Sequence, residues 1–277
     1  MAQGNNKKPA VKPTSKGIQP AGKTPAGRQS VAAARGSSSN NRTQLIIGVV
    51  AVAVIAIIVI GGVIFTQQQS KVQGEGYGAS TQSVASANAD GVVNVIKPGA
   101  QPKVTIDIFE DALCPICAQF EKQFGQQINQ AVDEGTLAVN YHMLTFLDPK
   151  SFTGTYSTRA AASLLCVAQK DGTQPGVYLG FHSALFNPDT QPAESGTEDL
   201  SNEQLAALAT SNGASAEAAT CITSGTNNAA AEASAATSTA TLSAATNGRV
   251  GTPTVLKDGA PVPELAADWL TKLLEQS

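Results

Sequence analysis

Two cysteines separated by two residues are the group in this sequence most able to do chemistry. Cys114 and Cys117 enclose Pro115 and Ile116, at the point where an alternating apolar segment gives way to a helical pattern. In the first turn of a helix this spacing brings two sulfurs close enough to bond, and the free amides and dipole of the helix N-terminus stabilise a thiolate. We expect Cys114 to be the nucleophile and Cys117 to be the partly buried resolving thiol.

A single C-x-x-C motif also occurs in zinc ribbons, haem attachment sites and structural disulfides. The sequence has no second C-x-x-C for a ribbon, and Ala118 stands where haem attachment requires a histidine. His142 and His182 lack helical ligand spacing to each other, which disfavours a zinc site with the cysteines. We expect both histidines to serve packing, and we expect no metal and no cofactor. A permanent structural disulfide without turnover stays open as the alternative.

The residues around the motif predict a strand, a helix and a second strand. Residues 92–96 and 104–109 have strand character and are expected to be neighbouring strands. After Cys114 the apolar residues recur every three or four positions until Gly135, which predicts a helix. Residues 137–143 alternate again, so the strands on either side of the helix are expected to be parallel.

The next hundred residues are helical in pattern. We expect a helical insertion over about residues 150–247, because residues 156–169 have an apolar face and residues 180–186 carry large side chains. Ala, Ser and Thr dominate its second half, and residues 225–247 are compatible with a disordered low-complexity segment as well as with a helix.

The C-terminal residues predict a hairpin followed by a helix. Residues 253–256 have strand character, Asp258 and Gly259 form a turn signal, and residues 261–262 start the returning strand. Apolar residues spaced four apart predict a last helix over residues 264–276.

The first 89 residues differ in composition from the rest. Residues 1–44 carry eight Lys or Arg and no acidic residue, with few large apolar side chains, which predicts a disordered tail. Residues 45–65 are an uninterrupted apolar run of about 30 Å as a helix, enough to cross a membrane. The basic tail places the N-terminus in the cytoplasm and the C-terminal domain outside. Residues 66–89 are expected to be a flexible linker, and residues 90–277 a single extracytoplasmic domain.

Charge restricts the partners of this domain. After the apolar run the sequence has 21 acidic and ten basic residues, a formal net charge of -11. We therefore expect no nucleic-acid partner. Separately, we expect contact with membrane lipid through the N-terminal segment, and a monomer.

Cys166 and Cys221 remain after Cys114 and Cys117 are assigned to each other. An exported domain permits a disulfide between them, which would stabilise the insertion. Two buried free thiols are the alternative.

Four segments together resemble a known family. FEDALCPICAQFEKQF, GFHSALF, LSNEQLAALA and RVGTPTVLKDG are similar, in order and spacing, to DsbA-like thiol-disulfide oxidoreductases, in particular the membrane-anchored members of actinobacteria. The resemblance covers residues 92–275. It implies an α/β protein with a thioredoxin fold interrupted by the helical insertion.

The resemblance also implies roles for individual residues. Cys114 corresponds to the attacking thiol and Cys117 to its partner. Pro253 matches the cis-proline that faces the disulfide, and the backbone of Thr252 would pair with a substrate strand. From the sequence alone, an ordinary trans turn at Thr252-Pro253 is the alternative.

Two positions depart from the family pattern. The strongest oxidants of the family have histidine where this sequence has Ile116, which cannot donate a hydrogen bond, so we expect a less acidic Cys114. Some members keep a buried acid six residues before the first cysteine, where Ile108 stands here. Proton transfer at Cys117 then depends on water or on one of three nearby acids: Asp107, Glu110 or Asp111.

The function that follows is disulfide introduction into unfolded, exported proteins with free thiols, with reoxidation by a membrane protein of the DsbB or VKOR type, as the resemblance implies. An isomerase or reductase of the same fold is the first alternative, because the sequence does not give a reduction potential. A tethered binding module with a structural disulfide is the second.

Overall fold

The computed structural model of the protein describes residues 74–263 and 265–276. The tail predicted over residues 1–44 and the transmembrane helix predicted over residues 45–65 lie outside this part. Within the described residues, no helix is both long enough and apolar enough to span a bilayer.

Six strands form one mixed sheet: β1 (Val84–Ala87), β2 (Val93–Ile96), β3 (Val104–Glu110), β4 (Leu137–Met143), β5 (Thr254–Lys257) and β6 (Ala260–Pro261). Their order across the sheet is β1-β2-β4-β3-β5-β6. As predicted, β3 and β4 are parallel, and the other four pairings are antiparallel.

The prediction that the strands at residues 92–96 and 104–109, now β2 and β3, are neighbours is wrong. β4 lies between β2 and β3, and Val139 of β4 is in register with Val95 on one side and Ile106 on the other. The alternating pattern identifies a strand and its buried face, but the partner of a strand depends on residues far away in the chain.

The flexible linker predicted over residues 66–89 is wrong for its second half. Val84–Ala87 is a strand that pairs with β2, and the Ala85 amide donates to the carbonyl of Gly172 at 2.7 Å. Such a strand is stabilised through its backbone, so its small side chains give little sequence signal.

A buried carboxylate holds the segment before β1 on the domain. Asp133 accepts hydrogen bonds from the hydroxyls of Tyr77 (2.9 Å) and Ser80 (2.6 Å) and from the amides of Thr81 (2.8 Å) and Gln82 (3.2 Å). Residues 77–82 are therefore part of the folded domain.

Seven helices complete the described part: α1 (Pro115–Glu134), α2 (Tyr156–Asp171), α3 (Val177–Leu185), α4 (Asn202–Ser211), α5 (Ala216–Thr223), α6 (Asn228–Ala245) and α7 (Trp269–Glu275). α1 ends at Gly135, as predicted. The φ angle of Gly135 is 77°, a left-handed conformation that glycine adopts without strain and that stops the helix.

The insertion between β4 and β5 contains α2 to α6 and a short 3-10 helix, Asp148–Lys150. Residues 225–247, for which the sequence left both a helix and a disordered segment open, contain the helix α6. It buries Ala231, Ser234, Ala235, Ser238 and Leu242. A disulfide joins Cys166 of α2 to Cys221 of α5, with their Cα atoms 5.8 Å apart.

The sheet is covered on both faces. Ile106 and Ile108 of β3 belong to the large core that also contains the apolar side chains of α1 to α3. Phe109 points to the other face, where it packs with Leu144, Leu242 of α6 and Leu256. The alternation of β3 thus separates the large core from a smaller cluster that includes α6.

The C-terminal hairpin has the predicted turn, since Asp258 and Gly259 both have positive φ between β5 and β6. The last helix is shorter than the predicted residues 264–276 and begins only at Trp269. Trp269 packs against the rings of Phe120 and Phe124, whereas Leu265 covers the core from a non-helical segment.

Candidate active site

The two cysteines lie where β3 leaves the sheet and α1 begins. Cys114 is the N-cap residue, with extended backbone angles, and Pro115 is the first residue of the helix. The Cys114 sulfur accepts a hydrogen bond from the Cys117 amide at 3.4 Å. The structure therefore places the sulfur at the helix N-terminus, as the spacing predicted.

The Cys114 thiol is unusually acidic. Its pKa falls to about 6, mainly because the Cys117 thiol donates a hydrogen bond to the sulfur; smaller contributions come from Thr252 and from the amides of Cys117 and Ile116. These interactions outweigh the effect of burial, which disfavours the thiolate. Cys114 is therefore mostly thiolate at neutral pH.

Cys117 has the opposite environment. Its side chain is fully buried, whereas Cys114 keeps 6% of its surface exposed. Burial, the hydrogen bond with Cys114 and the charge of Glu110 raise the pKa of Cys117 far above its ordinary value. One sulfur is thus poised as a thiolate and the other is held as a thiol.

A glutamine of the insertion closes the rim of the site. Gln191 donates through Nε2 to the carbonyl of Ala112 at 2.9 Å and to that of Cys114 at 3.1 Å. Ile116, on the helix side of the rim, leaves 52% of its surface exposed. Gln191 of the insertion therefore holds the loop before α1 in place. The apolar side chain of Ile116 faces solvent beside the cysteines.

Thr252 and Pro253 lie opposite the cysteines. The Thr252-Pro253 peptide bond is cis. The Cys114 sulfur lies 3.6 Å from the carbonyl oxygen of Thr252. The backbone of the segment before β5 is thus in contact with the sulfur of Cys114.

Of the three acids near the motif, Glu110 is the one that is electrostatically coupled to the two cysteines. It is the last residue of β3 and is completely buried. Burial and the charge of Cys114 raise its pKa well above the ordinary value, and Glu110 in turn raises the pKa of Cys117. Strand alternation did not distinguish the three acids, and the tertiary structure couples Glu110 to both cysteines.

The other two acids have different surroundings. Asp111 accepts hydrogen bonds from the amides of Leu113 and Leu147 and from the Ser157 hydroxyl, so it joins the loop before α1 to the insertion. Burial raises its pKa to about 6. Asp107 accepts from Asn140 at 2.9 Å on the other face of the sheet.

The histidines occupy opposite faces of the sheet. His142 stacks on Phe109 and forms hydrogen bonds with Asp107 and Ser238. His182 packs beside Tyr141 and Phe186, as expected for a packing residue, and its Nε2 also lies 3.0 Å from Glu110. This contact ties His182 to the acid beside the cysteines.

Sequence reasoning missed Glu121 and Gln191. Glu121 is a buried acid of α1 four residues after Cys117, and its carboxylate lies 3.8 Å from Nδ1 of His182. A charged residue at this spacing on an apolar helical face was a usable signal. Gln191 lies in a loop without periodic pattern, so its contacts have no signature in the sequence.

Comparison with known proteins gives a consistent assignment. The Thioredoxin family model (Thioredoxin_4) matches residues 99–276. The crystal structure of oxidised DsbA from M. tuberculosis is 33% identical with a TM-score of 0.55, and the match covers 70% of this chain and 91% of that one. MdbA, a thiol-disulfide oxidoreductase from Corynebacterium matruchotii, is 25% identical with a TM-score of 0.60, over 75% and 98% of the two chains.

A curated relative matches over a shorter segment. The serine/threonine-protein kinase PknE of Mycobacterium tuberculosis (strain H37Rv) is 45% identical over 121 residues, which are 44% of this chain and 21% of the kinase. The similarity therefore spans about a fifth of the length of that relative.

Proposed function

Since the chain belongs to the thioredoxin family, as a DsbA-like member, we propose that it is a thiol-disulfide oxidoreductase that introduces disulfides into exported proteins through Cys114 and Cys117. The observation that carries this proposal is the opposite perturbation of the two thiols: the pKa of Cys114 falls to about 6, while that of Cys117 rises. A stabilised thiolate favours the reduced protein over the disulfide, which makes the pair an oxidant.

The reaction begins from the Cys114–Cys117 disulfide. A substrate thiolate attacks the Cys114 sulfur, the bond to Cys117 breaks, and the electron pair leaves with the Cys117 sulfur, which takes up a proton. A second substrate thiolate then attacks the substrate sulfur of the mixed disulfide and releases Cys114 as a stabilised thiolate. Counted from its two thiols, the substrate gives two electrons to the enzyme and loses two protons, of which Cys117 takes up one and solvent takes the other.

Thr252 and Pro253 supply the substrate-binding edge in this proposal. The Thr252 carbonyl faces the Cys114 sulfur at 3.6 Å. An extended substrate segment that pairs with the Thr252 backbone would bring its own cysteine to the same sulfur. Ile116, half exposed beside it, offers an apolar contact to unfolded chains.

The cycle needs a protein that reoxidises the dithiol. We assign this role to a membrane protein of the DsbB or VKOR type, and we place the domain outside the cell on the apolar segment of residues 45–65. The 21 acidic and ten basic residues after that segment argue against a nucleic-acid-binding protein. We further assign the chain as a tethered monomer that acts on unfolded exported proteins with free thiols.

Trapping tests the activity. Cys117→Ala leaves a nucleophile without a resolving thiol, so it should accumulate mixed disulfides with exported proteins, visible on non-reducing gels. The matched control is the double variant Cys114→Ala with Cys117→Ala, which should trap none. Equal trapping by both variants, or none by either, would leave the C-x-x-C as a structural disulfide in a binding module.

The reduction potential tests the direction of electron flow. Equilibration of the pair with glutathione should give a value well above the roughly -270 mV of thioredoxin. A value at or below that of thioredoxin would assign the protein to reduction instead.

A further inference from the structure

The side chain of Gln191 binds two carbonyl groups of the backbone around the nucleophile. Its Nε2 donates to the carbonyl of Ala112 at 2.9 Å and to that of Cys114 at 3.1 Å. The Cys114 carbonyl also accepts from the Ala118 amide at 3.2 Å, which is the first hydrogen bond of α1. Ala112 is fully buried, so bulk water does not replace Gln191 at its carbonyl. One amide group therefore joins the buried loop to the first turn of the helix.

The same turn sets the position of the Cys114 sulfur. The backbone angles of Cys114 are extended, and its amide donates to the carbonyl of Asp111 at 2.9 Å. In this conformation the sulfur accepts a hydrogen bond from the Cys117 amide at 3.4 Å. Hydrogen bonds weaken steeply when their geometry departs from the preferred one. A small movement of the Cys114 backbone would therefore remove part of the stabilisation of the thiolate.

The loop that carries Gln191 is held at both ends. Beside α3, the Gln191 amide donates to the carbonyl of Asn187 at 2.8 Å. At the other end, the Asp199 side chain is 1% exposed and accepts from the Arg159 guanidinium of α2 at 2.6 Å and from the Thr153 amide at 2.8 Å. The insertion thus presents Gln191 from a supported loop.

The loop before α1 has a second attachment that does not involve Gln191. Asp111 accepts hydrogen bonds from the Ser157 hydroxyl of α2 at 2.6 Å and from the Leu147 amide at 3.0 Å. These bonds remain when Gln191 is substituted. We therefore expect variants of Gln191 to fold, with the change confined to the first turn of α1.

We propose that Gln191 is a positioning residue for the nucleophile: through the carbonyls of Ala112 and Cys114, the helical insertion fixes the first turn of α1 and with it the Cys114 sulfur. The role deepens the proposed function and rests on it. A less stable thiolate favours the reduced form less, so displacement of this turn makes the pair a weaker oxidant. Gln191 acts through the backbone of Cys114, and its loss should therefore change the reactivity of a sulfur that it does not bind.

The first test is Gln191→Ala, with Cys114 alkylation by iodoacetamide measured from pH 4 to 9 in the reduced full-length chain. Loss of one hydrogen bond to a thiolate corresponds to about one pH unit, so the midpoint should rise by that amount from about 6. At pH 7 the equilibrium constant for oxidation of glutathione should fall about fivefold, because the reduced protein loses stabilisation of its thiolate. A purely structural role would lower the melting temperature and leave both quantities unchanged.

Two further variants separate the donor from the loop that supports it. Gln191→Glu keeps the size of the side chain but sets a carboxylate against the carbonyl oxygens of Ala112 and Cys114, so it should raise the midpoint at least as much as Gln191→Ala. Asp199→Asn weakens the support of the loop and leaves Gln191 in place. It should raise the midpoint in the same direction by a smaller amount.

Glu194→Ala is the matched control, because Glu194 is an exposed residue of the same loop. It should keep the midpoint and the glutathione equilibrium of the wild type. If Gln191→Ala and Gln191→Glu fold and both match Glu194→Ala, Gln191 has no positioning role. If neither folds, a wild-type midpoint in Asp199→Asn overturns the proposal in the same way. If the midpoints shift as expected but the wild type traps no substrate, the proposed function fails while the positioning of Cys114 stands.

Discussion

The sulfur of Cys114 lies 3.6 Å from the carbonyl oxygen of Thr252, although 138 residues separate them in the chain. This contact joins the first turn of α1 to the segment that leads into β5. It places the nucleophile and the proposed substrate-binding backbone side by side. The reactivity of Cys114 therefore depends on residues near both ends of the domain.

The Cys114 thiolate should form with a midpoint near the pKa of about 6. Because the hydrogen bond from the Cys117 thiol is the main cause, Cys117→Ala should raise the midpoint toward the ordinary cysteine value of about 8.5. The pH dependence of iodoacetamide alkylation, followed by mass spectrometry, measures both midpoints. An identical midpoint in wild type and Cys117→Ala would contradict the assigned cause.

Redox state should change how stability depends on pH. A thiol with a lowered pKa in the folded protein stabilises it above the unfolded pKa of about 8.5, and this stabilisation is lost as pH falls through the folded value of about 6. The oxidised protein has no such group. The melting temperature of the reduced form, relative to the oxidised form, should therefore rise between pH 6 and 8. A constant difference would count against the acidic thiol.

Glu121 should give a stability trend of the opposite sign. Its pKa is raised to about 8, so the stability linked to its proton is present below the unfolded value of about 4.3 and is lost as pH rises through the folded one. Glu121→Gln does not titrate. Its melting temperature should therefore increase relative to wild type between pH 5 and 8, whereas Glu134→Gln should show no such trend. A parallel pH dependence of wild type and Glu121→Gln is the contrary result.

Asp133→Ala should release the segment before β1. The substitution leaves the Tyr77 and Ser80 hydroxyls and two backbone amides without their acceptor. Loss of charge-assisted hydrogen bonds of this kind costs about 2 kcal/mol or more. Urea denaturation measures the loss, and faster hydrogen exchange of residues 77–87 locates it. Glu134→Ala, one position along the same helix, should have neither effect.

Removal of the disulfide between Cys166 and Cys221 should destabilise the insertion. The bond closes a loop with a sequence separation of 55. A loop of this size corresponds to about 4 kcal/mol in the chain-entropy model. The double variant Cys166→Ala with Cys221→Ala should unfold at lower urea than the variant that lacks Cys114 and Cys117. Equal urea midpoints of the two variants would show that the helices of the insertion are equally stable without the disulfide.

The sequence alone predicted the features that depend on local geometry. The C-x-x-C spacing fixed the positions of Cys114 and Cys117 in the first helical turn, and periodicity identified β3, α1 and β4. Asp258 and Gly259 marked the hairpin because both positions need positive φ, as the structure has them. Each of these features is determined by a few neighbouring residues, because side-chain type and backbone conformation constrain each other directly over that distance.

Only the tertiary structure decided what lies around the sulfurs. Strand alternation could not choose among Asp107, Glu110 and Asp111, because the choice depends on the helices packed over each face. Glu110 meets His182 across 72 residues of chain. The partner of β2 was missed for the same reason, whereas β1 was missed because its small side chains give little signal in the sequence. The burial and the pKa of a side chain are set by groups that are distant in sequence. The C-x-x-C motif was therefore enough to identify Cys114 as the nucleophile, whereas only the fold shows which acidic side chains lie near it.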